Sequence, residues 1–374
     1  MITALCCFYE AYPPASGAAA VTFNVAKFLP GKTLLIQVGS SEGTIELKSI
    51  RVVTVPAASE GKFRKIASLR PCIKSTVNHL SGFQPDFVIL EGASWAVYHL
   101  MLLKAIRKAV PSTRIIYHSH NVEYLLRLYR NGRAIAALTR WAEGRLLRCA
   151  DLSTAVSTTD QAHFARLYGV RPILLPNGVD FERFAGVRPE AVARMRAKYG
   201  LNAQTALFSG FYAYPPNREA VDFLVKSVMP GVRERYPSAA LALTGGGAPY
   251  RDSWIRNVGS VPYEDFAAFV AACGIAVAPI FSGSGTRLKI LEAMAAGLPV
   301  VATEKAAEGL GLRHREHALF ASSSLEFANA IGELLENRES AEGLVRSARQ
   351  RVKAEFSWQA IAANFEREME HVSE

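Results

Sequence analysis

Apolar and polar positions along the first half of the chain alternate between two patterns. Short runs of consecutive apolar residues predict buried strands, and segments with an apolar residue every three or four positions predict amphipathic helices. The predicted strands are ITALCCF (2–8), TLLIQV (33–38), IRVVTV (50–55), DFVIL (86–90), RIIYH (114–118) and DLSTAV (151–156). Helices are expected after Gly17 and near 62–80, 94–109, 121–131 and 133–149.

The same alternation starts again in the second half of the chain. Its predicted strands are TALFSG (205–210), AALALTGG (239–246), IAVAPI and PVVAT (299–303), with helices near 216–236, 263–272, 286–296 and 323–337. Continuous apolar strands separated by helices are typical of parallel sheets covered on both faces. We therefore predict an α/β protein of two doubly wound, Rossmann-like domains that face each other across a cleft.

A cluster of turn-forming residues separates the two patterned halves. It lies in LLPNGVDFERF (174–184), where Asn177 and Gly178 predict a turn and Asp180 a helix cap. We expect an N-terminal domain over 1–176 and a C-terminal domain over 177–355. The stretch FSWQAIAANFEREMEHV predicts a closing helix within 356–374, with Ser357 as its N-cap.

The composition is that of an ordinary globular protein. Of 374 residues, half are hydrophobic and a fifth are charged. No apolar run reaches the roughly 18 residues that a membrane span needs, and the start MITALCCFYEAY lacks the basic region of a signal peptide. The five cysteines form no C-x-x-C pair. We expect reduced thiols and a cytoplasmic location.

The positive charge of the chain, +10 overall, is distributed unevenly. Only Glu123 and Glu143 are acidic within the stretch 104–148, against ten cations: Lys104, Arg107, Lys108, Arg114, Arg127, Arg130, Arg133, Arg140, Arg145 and Arg148. Arginines among aromatic and aliphatic residues at helical spacing suit the inner face of an anionic membrane, although solvated arginines around a helical core would give the same pattern. No nucleic-acid-binding module is recognisable, so nucleic acid is not expected as a partner.

The segment FSGSGTRLKILEAMAAGLPVVA (281–302) has the pattern of an anion site, because a glycine loop joins a strand to a helix. The backbone of Gly283 and Gly285 can approach a ligand closely, and a helix N-terminus attracts negative charge. Arg287 and Lys289 add two cations that suit a diphosphate. The other predicted binding residues of this segment are Ser282, Ser284, Thr286 and Leu288.

Glu292 follows one turn later, among apolar residues, where a carboxylate needs a partner. Ribose hydroxyls would serve, as they do for acidic residues in dinucleotide-binding folds. The alternative is a structural loop with two solvated cations and a salt-bridged glutamate. The spacing matches neither G-x-x-x-x-G-K-S/T nor G-x-G-x-x-G, which disfavours ATPase and NAD-dependent functions.

Several segments, in order, resemble the retaining glycosyltransferases of the GT-B fold, family 4 (glycosyl transferases group 1). The resemblance is carried by GSGTRLKILEAMAAGLPVVAT, SHNVEYLLR (119–127), VSTTD (156–160), LPNGVDFERF (175–184) and FSGFYAYPPNREAVDFL (208–224). It implies a nucleoside-diphosphate sugar as co-substrate, bound mainly to the C-terminal domain, and a final helix that crosses back to the N-terminal domain. By position it assigns the ribose to Glu292.

Two departures from the family pattern concern the donor site. The glutamate that the family commonly has eight residues before Glu292 is Ser284 here, so the resemblance does not identify the donor sugar. The arginine that follows the glycine equivalent to Gly210 is Phe211, and the lysine five residues later is Pro216. We infer that Arg287 and Lys289 replace these missing cations from the other side of the diphosphate.

His118 and His120 end a predicted strand just before a helix. The resemblance implies a histidine near the donor sugar, and we select His120, with Asn121 and Glu123 as helix-start residues that could orient it. A metal site at the two histidines is not expected because no third ligand is apparent. The sequence contains no D-x-D, so phosphate charge would be neutralised by protein cations, without a required metal ion.

Three further glycines are candidate contacts. Gly245 and Gly246 follow a predicted strand and could approach the nucleotide through their backbone, or simply form a turn. Gly17 opens the first helix and is a candidate for contact with the diphosphate or the acceptor. Gly210 is included through the resemblance.

The resemblance implies a hexosyltransferase-type enzyme with retention of configuration, and we expect it to act in the biosynthesis of a cell-envelope glycan, exopolysaccharide or glycoconjugate. The acceptor would be a saccharide, a lipid-linked saccharide or a protein. Two other functions remain open: a GT-B sugar-nucleotide epimerase, and a non-catalytic subunit that binds nucleotide sugars.

Overall fold

The computed structural model describes residues 1–57, 62–92, 95–282 and 288–373. Contacts between Cα atoms divide the chain into two compact units. The first unit comprises Met1–Asn177 and Ile361–Glu374, and the second comprises Gly178–Ala360. The sequence-based boundaries were after residues 176 and 355, whereas the contacts change units after Asn177 and Ala360.

The first unit is built on an eight-stranded sheet within the described ranges, in the order β3-β4-β2-β1-β5-β6-β7-β8. Neighbouring strands are parallel except for β3, which pairs antiparallel with β4. The strands are β1 Ile2–Cys6, β2 Lys32–Gly39, β3 Gly43–Leu47, β4 Ile50–Pro56, β5 Phe87–Glu91, β6 Arg114–His118, β7 Leu152–Ala155 and β8 Ile173–Leu174.

Helices follow most strands of the first unit. They are α1 Gly17–Phe28, α2 Lys62–Phe83, α3 Ala96–Ala109, α4 Glu123–Asn131, α5 Arg133–Cys149 and α6 Thr158–Tyr168. Local chemistry sets several of their starts: the side chains of Ser16 and Ser157 accept hydrogen bonds from the backbone N–H groups of Ala19 and Asp160, which caps α1 and α6. Gly17 is the first residue of α1 and is exposed.

The second unit contains a six-stranded, all-parallel sheet in its described residues, in the order β11-β10-β9-β12-β13-β14. Its strands are β9 Thr205–Ser209, β10 Ala240–Thr244, β11 Ile255–Gly259, β12 Ile275–Ala278, β13 Val300–Ala302 and β14 Leu319–Phe320. All residues of β10, β12 and β13 are buried, as expected for strands covered on both faces.

The helices of the second unit are α7 Phe181–Ala185, α8 Pro189–Tyr199, α9 Pro215–Phe223, α10 Met229–Arg235, α11 Tyr263–Ala272, α12 Leu288–Ala296, α13 Ser324–Glu336 and α14 Arg338–Arg351. Two π-helical turns, Leu224–Val228 and Val352–Phe356, continue α9 and α14. The final helix, α15 Trp358–Ser373, begins in the second unit, and its residues from Ile361 onward belong to the first.

The predicted class of two parallel α/β domains is confirmed, and the differences lie in the details. The antiparallel strand β3 was not predicted because GTIEL is polar and largely exposed. The helix predicted over 216–236 is α9, a π-helical turn and α10. The predicted caps at Asp180 and Ser357 are confirmed, since Asp180 accepts a hydrogen bond from Arg183 N and Ser357 Oγ accepts one from Ala360 N.

Candidate active site

Two glycine-containing loops lie against each other at the carboxyl ends of β9 and β10. The N–H of Gly210 donates to the carbonyl of Thr244 at 2.8 Å, and that of Tyr212 donates to Gly246 at 3.1 Å. Gly245 has a φ of +107°, and a Cβ placed on it would lie 2.6 Å from the carbonyl carbon of Gly210. Only glycine fits there, so the backbone carries no side chain at this edge of the sheet.

The Lys289 side chain extends from the first turn of α12 to the loop that follows Gly210. Its Nζ donates to Oδ1 of Asn217 at 3.0 Å and lies 4.0 Å from the centroid of the Phe208 ring. Asn217 in turn donates from Nδ2 to the carbonyl of Phe211 at 3.0 Å. The ammonium group therefore lies beside the loop in which the family's usual cations are replaced by Phe211 and Pro216.

Glu292 and Lys289 line one narrow pocket together with Ser209 and apolar residues of β9, β12, β13, α11 and α12. The pocket has room for about one water molecule. Burial raises the pKa of Glu292 to about 7, against the opposing charges of Arg183 and Lys289. In the part of the chain that the structure describes, no hydrogen bond or ion pair is found for the Glu292 carboxylate. In its ionised form the Glu292 carboxylate can therefore accept hydrogen bonds from the hydroxyl groups of a ligand.

The remaining predicted residues of this loop are only partly described. Gly283, Ser284, Gly285, Thr286 and Arg287 lie outside the described residues, so their predicted contacts remain predictions. Ser282 is exposed, and its hydroxyl donates to Glu219 at 3.2 Å. Leu288 is the first described residue of α12 and is half-buried.

Arg183, which the sequence reasoning passed over, is close enough to influence Glu292 electrostatically. It lies on α7, donates to the carbonyl of Tyr263 and stacks over the Tyr263 ring, with Cζ 3.6 Å from the centroid. Arg183 was not selected from the sequence because the motif PNGVDFERF, which contains it, was interpreted only as a turn and a helix cap.

In the first unit, a buried carboxylate joins the two histidines. Glu91 ends β5 and is paired in register with His118 at the end of β6. Its Oε1 lies 3.2 Å from His118 Nδ1, and its Oε2 lies 2.5 Å from His120 Nε2. Glu91 is fully buried and His120 nearly so. Glu91 is thus a hydrogen-bond partner of His120 that the sequence did not suggest, whereas an orienting role of Asn121 and Glu123 stays a prediction.

Hydroxyl groups extend this cluster. Thr22 on α1 donates to Glu91 Oε2 at 3.0 Å, and Tyr9 OH lies 2.7 Å from Thr22 Oγ1. Burial opposes ionisation of Glu91, yet the charges and hydrogen bonds of His118 and His120 hold its pKa well below the usual range. Burial lowers the pKa of His120 despite its hydrogen bond to Glu91. The arrangement is a carboxylate that accepts from three donors.

The same three side chains are the residues that could hold a metal ion within the described ranges. One ligand atom from each of Glu91, His118 and His120 lies within 4.8 Å of the others. The third ligand that was missing from the sequence argument is thus Glu91. Two histidines and a carboxylate suit a divalent transition metal, although the facing atoms are here hydrogen-bonded to one another.

Glu123 and Glu143 have a structural arrangement of their own. Glu143 on α5 accepts from the N–H groups of Glu123 at 2.8 Å and Tyr124 at 3.2 Å, and also from Tyr168 OH, so it caps α4. Glu123 pairs with Arg127, 3.2 Å away. Burial raises the pKa of both carboxyls to about 7. Asn121 is half-buried, and its carbonyl accepts from Ser119 Oγ.

Two parallel α/β units, with a glycine-lined strand edge and a lysine and a glutamate on the helix beside it, fit the GT-B fold expected from the sequence. Two family models of glycosyltransferases each match one part of the chain. The model described as Glycosyltransferase Family 4 matches residues 15–183, and the one described as Glycosyl transferases group 1 matches residues 203–337. The resemblance to glycosyltransferases of the GT-B fold is confirmed, and retention of configuration stays a prediction.

Curated relatives include lipid mannosyltransferases. A GDP-mannose-dependent alpha-(1-6)-phosphatidylinositol monomannoside mannosyltransferase of Mycolicibacterium smegmatis is 30% identical over 62% of this chain and 62% of its own length. The protein of the same description from Mycobacterium tuberculosis is 28% identical over 71% of each chain. The match thus spans less than two thirds of the Mycolicibacterium protein.

Solved structures with the same fold cover almost the whole chain. Sucrose-phosphate synthase from Thermosynechococcus elongatus has a TM-score of 0.77 at 19% identity, covering 100% of this chain and 99% of that one. Anabaena HepE in complex with UDP-glucose has a TM-score of 0.73 at 18% identity, covering 99% of both chains. At these identities the likeness establishes the fold.

Proposed function

We propose that this protein transfers a sugar from a nucleoside-diphosphate sugar to a hydroxyl acceptor, with retention of the anomeric configuration. One observation carries the proposal: the ammonium group of Lys289 reaches Asn217 in the loop that follows β9, a central strand of the second sheet, and Glu292 lies three residues further along the same helix. The ammonium group suits the phosphates of a nucleoside diphosphate, and the carboxylate suits the hydroxyl groups of its ribose.

The chemistry requires stabilisation of the leaving diphosphate. Lys289 supplies a full positive charge held by Asn217, and the start of α12 supplies oriented N–H groups. Because these charges are fixed before the reaction, they need no reorganisation as the bond to the sugar breaks. We propose that they suffice without a required metal ion, so transfer should continue in the presence of EDTA.

The relatives indicate which donors and acceptors to examine first. The mycobacterial relatives are described as GDP-mannose-dependent and act on phosphatidylinositol monomannoside, and HepE is seen with UDP-glucose. We propose a glycolipid or lipid-linked saccharide acceptor, in cell-envelope or glycoconjugate biosynthesis, for the present chain. Because the sequence relatives are GDP-mannose-dependent and the structural neighbour is seen with UDP-glucose, the nucleotide base has to be measured.

A cationic surface on the first unit supports an acceptor at a membrane. Both acids of the stretch 104–148, Glu123 and Glu143, are buried, so the charged side chains that face solvent among its described residues are all cations. Four large apolar side chains are exposed beside them, namely Leu128, Ile135, Leu138 and Trp141. No described helix is long and apolar enough to cross a bilayer. We propose that α4 and α5 contact the anionic inner face of the cytoplasmic membrane.

The decisive experiment combines nucleotide binding with turnover. Thermal stability is measured against GDP, UDP, ADP, CMP and dTDP, and a ligand at 100 times its dissociation constant should add about 2.7 kcal/mol. Release of GDP from GDP-mannose and of UDP from UDP-glucose is then followed with bacterial lipid extract as acceptor. One nucleotide that stabilises the protein, with product formed from the matching donor, is the expected result.

The other outcomes identify the rival functions. Binding of a nucleoside diphosphate without any turnover would favour a non-catalytic subunit, and conversion of the donor to an epimer without acceptor would favour an epimerase. If no nucleotide stabilises the protein, the pocket beside Lys289 and Glu292 is not a donor site. The anomeric configuration of the product, read from its NMR coupling constants, tests retention.

A further inference from the structure

The cluster around Glu91 constrains which nitrogen of His120 carries a proton. An ionised carboxylate can only accept hydrogen bonds, so the nitrogen that faces it must be the donor. His120 presents Nε2 to Glu91 Oε2 at 2.5 Å. In a neutral imidazole only one nitrogen is protonated, which leaves Nδ1 of His120 with a lone pair. No hydrogen bond to this Nδ1 is found among the described residues.

The hydroxyl groups on the other side of Glu91 reinforce this assignment. Thr22 has a single hydroxyl proton, which it donates to Glu91 Oε2 at 3.0 Å. Tyr9 OH must therefore be the donor in its 2.7 Å contact with Thr22 Oγ1. Each hydroxyl in this series of hydrogen bonds donates its proton towards Glu91, so the Glu91 carboxylate acts only as an acceptor. If Glu91 were protonated and donated to His120, its Oε2 atom could no longer serve only as an acceptor for Thr22 and His120.

We propose that Glu91 is a positioning residue that holds His120 in the tautomer protonated at Nε2, so that Nδ1 accepts a hydrogen bond from a hydroxyl group of a bound saccharide. This inference rests on the proposed transferase function. In this tautomer His120 Nδ1 can only accept a hydrogen bond. The side chain would therefore bind a ligand hydroxyl that donates, and would disfavour a ligand that offers only an acceptor at that point. His118, which donates from Nδ1 to Glu91 at 3.2 Å, braces the carboxylate from the other side.

The first test reads the tautomer directly and needs no substrate. The protein is labelled with ¹⁵N-histidine, and the His120 signals are assigned by their loss in His120→Gln. We expect a non-protonated Nδ1 and a protonated Nε2 in the wild type at pH 8. In Glu91→Gln the amide can donate as well as accept, so the tautomer should become mixed or reversed. A protonated Nδ1 in the wild type, or an unchanged tautomer in Glu91→Gln, would overturn the proposal.

A matched control separates this effect from the loss of a buried charge. Glu143→Gln also removes a buried carboxylate from the first unit, but Glu143 caps α4, and within the described ranges no hydrogen bond joins it to His120. Its His120 signals should remain those of the wild type. If Glu91→Gln does not fold, Thr22→Val removes one donor to Glu91 and leaves the carboxylate in place. Because the carboxylate still only accepts, Nε2 of His120 should stay protonated in this variant, and a protonated Nδ1 would contradict the proposal.

The second test asks whether Glu91 acts through His120, using the donor that turns over. We expect kcat/KM to fall by about ten- to a hundredfold in Glu91→Gln, the effect of one charged hydrogen bond, while the Kd for GDP or UDP stays unchanged. The double variant Glu91→Gln/His120→Gln should be no slower than His120→Gln alone. Additive losses would show that Glu91 acts independently and would refute a positioning role.

The saccharide hydroxyl could belong to the donor sugar or to the acceptor, and slow hydrolysis of the donor distinguishes them. If the hydroxyl is on the donor, Glu91→Gln lowers hydrolysis without acceptor as well as transfer; if it is on the acceptor, only transfer falls. Equal rates for variant and wild type in both assays would contradict the proposal. A wild type without any turnover would refute the transferase function, whereas the tautomer measurement would still stand.

Discussion

The ammonium group of Lys289 donates a hydrogen bond to Oδ1 of Asn217 at 3.0 Å. This contact joins the first turn of α12 to the loop after β9. A Cβ on Gly210 would lie 2.7 Å from Asn217 Nδ2, so Asn217 fills the space directly beside that glycine. The cation that the loop lacks at Phe211 and Pro216 is thus supplied by a neighbouring helix, which supports the idea that Lys289 compensates for the missing charges.

Replacing Lys289 should weaken nucleotide binding more than it weakens the fold. Removal of a charge-assisted contact to a phosphate costs about 1.5–3 kcal/mol, or about ten- to a hundredfold in Kd. We expect Lys289→Ala to show this loss in calorimetric titrations with GDP and UDP, and Lys289→Arg to retain part of the affinity. The control is Lys305→Ala, which removes an exposed lysine paired with Glu308. An equal loss in both variants would argue against a phosphate contact.

Gly245 and Gly246 form a matched pair for testing whether the close contact between Gly245 and the backbone of Gly210 requires glycine. Both have positive φ, +107° and +83°, so alanine strains the backbone at either position. At Gly245 the new Cβ would also collide with the backbone of Gly210, whereas at Gly246 no atom lies within 4 Å. Gly245→Ala should therefore lower stability by at least about 2 kcal/mol more than Gly246→Ala in urea unfolding. Equal losses would mean that backbone strain alone decides.

The raised pKa of Glu292 predicts a particular dependence of stability on pH. Since its pKa is raised to about 7 from an ordinary value of 4.5, the native state binds more protons than the unfolded state between these values. The free energy of unfolding therefore falls as pH rises through this window. Glu292→Gln should gain relative to the wild type as pH increases from 5 to 8, by about 1–3 kcal/mol. A constant difference would show that Glu292 ionises normally.

The same ionisation should govern nucleotide affinity with the opposite sign. A carboxylate accepts from both ribose hydroxyls, whereas a protonated acid accepts poorly, so binding to the wild type should strengthen as pH rises from 6 to 8. The nucleotide's terminal phosphate titrates in a similar range, but equally for both proteins. The ratio of wild-type to Glu292→Gln Kd therefore isolates the side chain. A ratio that does not change with pH would exclude ribose binding by ionised Glu292.

Glu143 should be a major stabilising residue of the first unit. Glu143→Ala leaves the N–H groups of Glu123 and Tyr124 and the hydroxyl of Tyr168 without their acceptor. Unsatisfied buried donors cost about 1–3 kcal/mol each, partly relieved by water, so we expect a loss of about 2–4 kcal/mol in denaturant unfolding. Glu336→Ala is the control, because its contact with Tyr236 is exposed; it should cost well under 1 kcal/mol. Comparable losses would contradict the capping role.

Membrane binding through α4 and α5 is tested by sedimentation with vesicles. Leu138 and Trp141 are 54% and 55% exposed. The double variant Leu138→Ser/Trp141→Ser should lose most of its binding to vesicles that contain phosphatidylglycerol, and the wild type should bind those of pure phosphatidylcholine weakly. Leu325→Ser is the control, since Leu325 is 70% exposed in the second unit. Wild-type binding that is equal for both vesicle types would rule out an anionic surface as the partner.

Much of the fold could be predicted from the sequence because its signals are local. Unbroken apolar runs such as DFVIL and IAVAPI became buried parallel strands, and the caps at Asp180 and Ser357 lie where side-chain chemistry placed them. The polar strand β3 was missed because it is an exposed edge strand without an apolar signal. Its pairing with β4 depends on a neighbour that only the folded sheet provides.

The candidate site divides in the same way. Glu292, Lys289 and the glycines after β9 and β10 could be selected from their spacing, since a strand, a loop and a helix in succession already define an anion site. Glu91 could not, because it is separated from His118 by 27 residues and becomes its neighbour only through the register of β5 and β6. The one sequence signal for Glu91 is its position directly after a predicted strand, since adjacent parallel strands end at the same edge of a sheet.

The sequence by itself determined the class of the two domains, their approximate boundary and the cationic bias of the stretch 104–148. The tertiary structure decided which charges act together: it buried Glu123 and Glu143, so that the exposed charges among the described residues of that stretch are cations, and it set Glu91 against His118 and His120. The reason is physical. Periodicity and capping depend on residues a few positions apart, whereas burial and hydrogen bonding between distant side chains depend on which elements pack together.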